Sequence, residues 1–206
     1  TGDKEVDIRA ELDGAIESFG QHFWHQLCEH SPVLVQLLTQ DDIEELSYSD
    51  RYLRSPLPVS LLLSVLHALG SYPAGAGAGR KCRVFSQPFQ NSRGYSHRVW
   101  HDWRDQFERD RVLQSALEYL GYNAVVQSEE DIAHGRLLKI TFASGKSVRI
   151  RLDQGMSYWL AAKRHDWLPS YPFDGDGNRQ MEALVNPVGW VQAPLGVSTQ
   201  LFVRLN

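Results

Sequence analysis

The chain is poor in the residues that would place it in a specialised class. Of 206 residues only two are cysteine, Cys28 and Cys82, and two are methionine. With no CxxC pair and no framework of spacings, a disulfide-stapled secreted domain is excluded, and the two read as buried thiols in a reducing, cytoplasmic setting. A disulfide between them is the lesser reading. No apolar run approaches the ~18–20 residues of a membrane helix. Lysine is scarce as well: 5 of the 21 bases are Lys and 16 are Arg. That argues against the Lys clusters and amphipathic anchors that mark lipid-surface binders. Thr1-Gly2 in place of an initiator methionine predicts a piece cut from a longer polypeptide.

Catalytic signatures are absent too. There is no GxSxG for a nucleophilic serine and no HExxH for zinc. The Gly-rich stretch 70–79 runs into Gly79-Arg80-Lys81-Cys82, which departs from Walker spacing, so it reads as a surface loop. The pairs His22/His25, His25/Glu29 and His97/His101 have helical spacing, but no third ligand completes a site. Asp174-Gly175-Asp176-Gly177-Asn178 opens like a calcium loop, but Val185 stands where the closing Glu belongs, so it reads as a hairpin turn. No metal and no cofactor is implied.

What is present is a globular composition, 42% apolar and 22% charged, of a length that suits one α/β or α+β domain. Ile8, Leu12, Ile16, Phe19, Phe23 and Leu27 recur at spacings of three and four, predicting one amphipathic helix over about 4–29. Ile43 to Asp50 reads as a strand. Ser55-Pro56 starts a helix to about Leu69 so rich in leucine that it must be buried on most sides. Arg83-Val84-Phe85 reads as a strand, Asn91 to Gly94 as a turn, and the segment up to Gly121 as a helix carrying Trp100, Trp103 and Phe107, with a kink at Arg109-Asp110-Arg111. A strand at Asn123–Val126 follows. The clearest β signal is a hairpin over 134–152, in which Leu138, Ile140, Phe142, Val148, Ile150 and Leu152 share a buried face. A final strand covers Thr199–Leu205. The organisation expected is an N-terminal acidic helix (1–30), a mixed sheet flanked by helices (31–168) and a Pro/Gly-rich C-terminal β extension (169–206).

The net charge of −4 averages two unlike parts. Residues 1–50 carry 12 acids against Lys4 and Arg9, while residues 51–206 carry 19 bases against 13 acids. The basic surplus concentrates in 134–164, where Arg136, Lys139, Lys146, Arg149, Arg151, Lys163 and Arg164 face Asp153 alone. Strand parity places Arg149 and Arg151 side by side on the face opposite the apolar residues. A solvated sheet face would carry charge too, but the shortage of neutralising acids favours an anion-binding surface, and Arg suits bidentate phosphate contact. His134 and Arg136 have the opposite parity, at the mouth of the hairpin. There they either bond to nearby backbone or to Glu129, Glu130 or Asp131, or line a cleft at the end of the sheet. Tyr158 and Trp159 follow as stacking surfaces for a base.

Several local patterns together resemble one family. They are Glu44-Glu45-Leu46-Ser47-Tyr48-Ser49-Asp50-Arg51-Tyr52-Leu53-Arg54, the leucine-rich helix, Asn91-Ser92-Arg93-Gly94, His134-Gly135-Arg136 leading a hairpin, and Gly155-Met156-Ser157-Tyr158-Trp159. In this order they resemble the phospholipase D-like C-terminal domain of MIT-domain proteins. Modules of that kind are also appended to bacterial DEAD/DEAH-type helicases and antiviral nucleases. The resemblance implies a phosphate-recognising cleft around Asp50, Tyr52, Arg54, Arg93, His134 and Arg136, joined by Arg149 or Arg151. Active members carry HxKxxxxD, usually twice. Here Arg136 replaces Lys, Thr141 stands where Asp belongs and no second copy occurs, so the resemblance implies binding without catalysis.

The leading reading is therefore a non-catalytic module of a larger bacterial helicase-type protein, of the kind used in phage defence, that holds a nucleic-acid backbone. Two others stay open: a membrane-surface or protein-docking module, and a degenerate phosphodiesterase that uses His134 and needs a homodimer for its second half-site.

Overall fold

Alternation of apolar and polar residues builds the centre of the molecule, and one leucine-rich helix covers it. The computed structural model describes residues 4–8, 12–89, 103–132, 135–153, 155–161, 171–192 and 199–206, and for 4–8, 160–161 and 199–202 the backbone alone. Among the described residues the order is β1 (Lys4–Ile8), β2 (Gly14–Ala15), α1 (Phe19–His30), α2 (Pro32–Gln40), β3 (Ile43–Ser49), α3 (Pro56–Ala68) and β4 (Lys81–Ser86). Then follow α4 (Gln106–Tyr119), β5 (Asn123–Ser128), β6 (Arg136–Phe142), β7 (Ser147–Leu152), β8 (Leu160–Ala161), α5 (Gly177–Val185), β9 (Trp190–Gln192) and β10 (Thr199–Leu205).

The principal sheet has seven strands in the order β1-β10-β7-β6-β3-β4-β5, and β2, β9 and β8 form a small second sheet. The fold is thus mixed α/β. Strands β3, β4 and β5 are parallel, and the remaining neighbours in the principal sheet are antiparallel. The two parallel crossovers, through α3 and α4, step across the sheet in the same direction. Crossovers of one hand stepping one way set their helices on one face. Burial agrees: Leu46, Tyr48, Val84, Leu138, Ile140, Phe142, Val148, Ile150, Leu152 and Val203 are all buried on that face. The helix α3 lies in the same core, with Leu61, Leu62, Leu63, Val65 and Leu66 at most 2% exposed. At roughly 1.5–3 kcal/mol for each large apolar side chain removed from water, this layer dominates folding.

Where α1 crosses α3 the backbones nearly touch. A Cβ on Gly20 would lie 2.0 Å from the Ser64 carbonyl oxygen, and the Gly20 N–H donates to Ser64 Oγ at 2.9 Å. Trp24 fixes the same crossing by donating its indole N–H to the Val65 carbonyl at 2.8 Å. Pro56 opens α3 as expected, although the Ser55 hydroxyl makes no capping bond. The hairpin β6–β7 has the expected parity and turns at Gly145, where φ is +83°. After α4 the chain turns at Gly121, φ +88°. Both cysteines are free; burial holds the Cys82 thiol up at about 12 and raises that of Cys28. No helix among the described residues is long and apolar enough to cross a membrane.

Four expectations need correction. The single helix over 4–29 is instead strand β1, a short β2 and a 3-10 turn before α1; residues 4–8 pair with β10, and a long-range sheet edge outweighs local helical spacing. Residues 70–79 include two packed 3-10 turns, with Ala74 and Gly75 buried. Trp103 precedes α4, which spans Gln106–Tyr119 from its Asp105 cap, and Arg109 lies buried within it. Asp176 is not in a hairpin turn but caps α5, accepting from the Arg179 N–H at 2.9 Å. The expected C-terminal strand is present, and it sits inside the principal sheet between β1 and β7. The turn expected at Asn91–Gly94, together with Trp100, lies outside the described residues.

Gly20→Ala is expected to destabilise the fold by about 1–3 kcal/mol, since the added methyl meets backbone that cannot yield without shifting a helix. Urea denaturation measures this, and a midpoint equal to wild type would show that the two helices do not cross this closely.

Candidate functional site

The residues singled out from the sequence separate into three places, because parity along a strand decides which face each one joins. The first is a buried corner where β3 ends and β6 begins. Asp50, 1% exposed, accepts from the Tyr48 hydroxyl at 2.8 Å and from the Tyr52 N–H at 2.8 Å. Arg136 enters from β6: its Nε lies 3.9 Å from Asp50 Oδ1, its Nη1 donates to the Asp153 carbonyl at 2.7 Å, and its guanidinium sits 4.9 Å from the centre of the Tyr52 ring. Gly155, at φ +65°, allows this closeness, for a Cβ there would lie 2.8 Å from Asp50 Oδ2 and 2.9 Å from Arg136 Cδ.

This corner joins the ends of two strands. Burial holds the Asp50 carboxyl above its ordinary range, opposed by hydrogen bonds from the Tyr52 N–H and the Tyr48 hydroxyl and by the Arg136 charge. The buried Tyr48 hydroxyl is likewise pushed well above 10, by desolvation and then by the Asp50 charge. Arg136 places one hydrogen bond on the Asp153 carbonyl and its flat face on Tyr52, while its Nε faces Asp50 as an ion pair without a hydrogen bond. The geometry fits a brace between two strands better than a free phosphate ligand.

A second embedded arginine is Arg109, expected at a kink but held within the continuous helix α4. Arg109 is fully buried, and it donates to Asp110 Oδ1 (2.7 Å), Ser86 Oγ (3.0 Å), Ser128 Oγ (2.9 Å) and the Leu53 carbonyl (3.2 Å). One guanidinium thereby ties the carboxyl ends of β3, β4 and β5 to α4. Arg109 and Arg54 each lie over the Phe89 ring, at 5.0 and 5.2 Å. Burial pulls Arg109 below its ordinary value, and the Asp110 hydrogen bond opposes this. A signal existed: Arg109 falls in phase with Val112, Leu113, Ala116 and Leu117, the buried stripe of α4. Arg54 thus joins this cluster and not the Asp50 corner.

The third place is the sheet face opposite the helices. Lys139, Arg149 and Arg151 lie there, and the register adds bases on other strands. Arg204 pairs with Arg149, Arg149 with Lys139, Lys139 with Ser47, and Ser47 with Arg83. On this face β4, β6 and β7 carry five bases, Lys81, Arg83, Lys139, Arg149 and Arg151, and Arg83 lies 3.3 Å from Glu45 of β3. Arg83, Arg149, Arg151 and Arg204 are exposed and Lys139 is half-buried. Sequence parity found the middle of this row, but Arg83 and Arg204 join it only through pairings with distant strands.

Trp159 does not offer the stacking surface expected of it. It is 1% exposed and packs edge-on against Phe19 at 4.9 Å, so its ring belongs to the core. Tyr158 is half-buried, with its ring 5.7 Å from that of Trp159. Arg93 and His134 lie outside the described residues.

The raised Asp50 carboxyl sets a sign for pH dependence. Its ionisation costs more in the folded than in the unfolded chain, so this group weakens folding as pH rises from about 4 upward through its folded value. Asp50→Asn removes that ionisation. The stability difference between variant and wild type, from urea titrations at a series of pH values, is expected to move in the variant's favour as pH rises; a constant difference, or the opposite trend, would refute a raised Asp50.

Comparison with known proteins adds one finding. No curated protein and no solved structure matches the chain. The family model described as DEAD/DEAH box helicase YjiV, C-terminal domain, matches residues 2–205, nearly the full length. On that match the chain belongs to the family of C-terminal domains of the DEAD/DEAH box helicase YjiV.

Proposed function

We propose that this helicase C-terminal domain is a non-catalytic module that holds a nucleic-acid phosphate backbone on the open face of its principal sheet. One observation carries the reading: a row of bases, Arg204, Arg149, Lys139 and Arg83, crosses five strands on the face away from the helices. Among the described residues, helices α3 and α4 and the fully buried apolar residues of the sheet use the other face. A surface that combines guanidinium groups with few carboxylates binds polyanions by releasing their counterions. Membership in a helicase family supplies a context in which that polyanion is nucleic acid. The phospholipase D-like resemblance belongs to the same proposal: the Asp50–Arg136 bracket occupies the mouth of the hairpin where such folds meet phosphate, and the pairing of Asp50 with Tyr48, Tyr52 and Arg136 supports a bracing role without chemistry.

The open face is also suited to an anionic bilayer, so the experiment includes one. Labelled DNA and RNA oligonucleotides and phosphatidylserine vesicles are titrated at two salt concentrations against wild type and the double variant Arg149→Ala, Arg151→Ala. Nucleic acid is expected to bind at low salt. The variant is expected to bind more weakly and to lower the slope of log K against log salt by roughly 0.7–0.9 per lost phosphate contact. Vesicle binding without nucleic-acid binding would overturn the proposal, and an unchanged slope would move the interface off β7.

A further inference from the structure

We infer that the open face is built for single-stranded nucleic acid, with phosphates over one cross-strand row and bases over the next. The inference rests on the reading of that face as a nucleic-acid surface. Two adjacent rows differ in chemistry. The first is Arg204, Arg149, Lys139, Ser47 and Arg83, each opposite the next. The second lies two residues along each strand: Arg151 opposite Leu137, Leu137 opposite Ser49, Ser49 opposite Phe85, and Phe85 opposite Gln127. Strands about 4.8 Å apart extend the first row over about 19 Å, and two residues of strand separate the rows by about 6.7 Å.

From Arg204 to Arg83 the first row is cationic apart from Ser47, and it ends on β5 at the exposed Val125, which pairs with Arg83. The second holds two half-buried apolar side chains, Leu137 and Phe85, a guanidinium, and the hydrogen-bonding groups of Ser49 and Gln127. An apolar residue on an otherwise charged, solvent-facing sheet gains nothing from phosphate. It gains from a flat π surface, and an Arg plane or a Phe ring stacks on any base. Phosphate over one row and base over its neighbour is the spacing an unpaired strand offers once its bases are splayed.

A duplex fits this arrangement poorly. Its bases are stacked inside, and the major groove, about 12 Å wide, admits a helix or a two-stranded ribbon but not a sheet of five strands. Against a duplex the second row would meet phosphates, desolvating them without compensation. The family context agrees in direction, because strand separation by a helicase yields single strands.

The test uses the 206-residue chain and fluorescence anisotropy with three probes of equal length: a labelled polythymidine strand, a duplex, and an abasic sugar-phosphate strand. Wild type is expected to bind polythymidine at least about tenfold more tightly than the abasic strand, as one or more stacked bases would give. It is expected to prefer polythymidine to the duplex as well. Leu137→Ser should remove most of the margin over the abasic strand while leaving the salt slope unchanged. Lys139→Ala should lower the slope and weaken polythymidine and abasic strand alike. Phe85→Ser is a second probe of the base row, with a thermal melt to confirm folding; the comparison of probes on wild type needs no variant. Equal affinity for polythymidine and abasic strand, or equal affinity for the duplex, would overturn this inference while leaving a nucleic-acid surface in place. Absence of binding to all three at low salt would overturn both.

Discussion

Burial of α3 against one face of the principal sheet is the contact on which the rest depends. Its leucines leave no polar face, so the helix must lie between two apolar layers. The sheet supplies one through Leu138, Ile140, Phe142, Val148, Ile150 and Leu152. The other comes from α1, brought to backbone contact by the absence of a side chain at Gly20. Once α3 and α4 both occupy that side, hydrophobic burial is concentrated there. The opposite face is left mostly to polar and charged residues, with Leu137, Phe85 and Val125 among them, and the functional proposal follows from that one-sidedness.

Charge follows the same division. Inside, the two embedded guanidinium groups are held by specific partners: Arg136 by Asp50, Tyr52 and Asp153, and Arg109 by Asp110, Ser86, Ser128 and Leu53. Such groups brace strand ends, because a buried cation without partners costs several kcal/mol. On the open face, Arg83, Arg149, Arg151 and Arg204 are exposed to water, where a guanidinium is cheap to hold. Burial therefore separates bracing arginines from surface arginines, a distinction that residue type alone does not make.

The site was legible from the sequence where it depends on neighbours a few residues away. Arg149 and Arg151 were assigned to one face because a strand alternates with period two. The chain's place as a helicase-appended C-terminal domain was also foreseen from short motifs, and the family match bears it out. Parity did not identify Arg83 and Arg204, which reach the row through strands far away in the chain. Nor did it disclose that Trp159, next to the exposed Ser157 and half-buried Tyr158, turns into the core.

The sequence by itself determined the hairpin and its buried face, the strand up to Ser49, the start of α3 at Pro56, the terminal strand over Thr199–Leu205 and the concentration of base on β6 and β7. All of these depend on backbone periodicity, proline geometry or composition, which act within a few residues. Only the tertiary structure decided that Lys4–Ile8 is a sheet edge rather than part of a helix, that β10 runs between β1 and β7, and that Arg109 is buried. It also decided that bases from four strands, with Ser47 of a fifth between them, line up in one row. Those outcomes depend on pairing and packing between segments far apart in the chain. There the free energy of joining a sheet or filling a core outweighs the local preference that a short window of sequence displays.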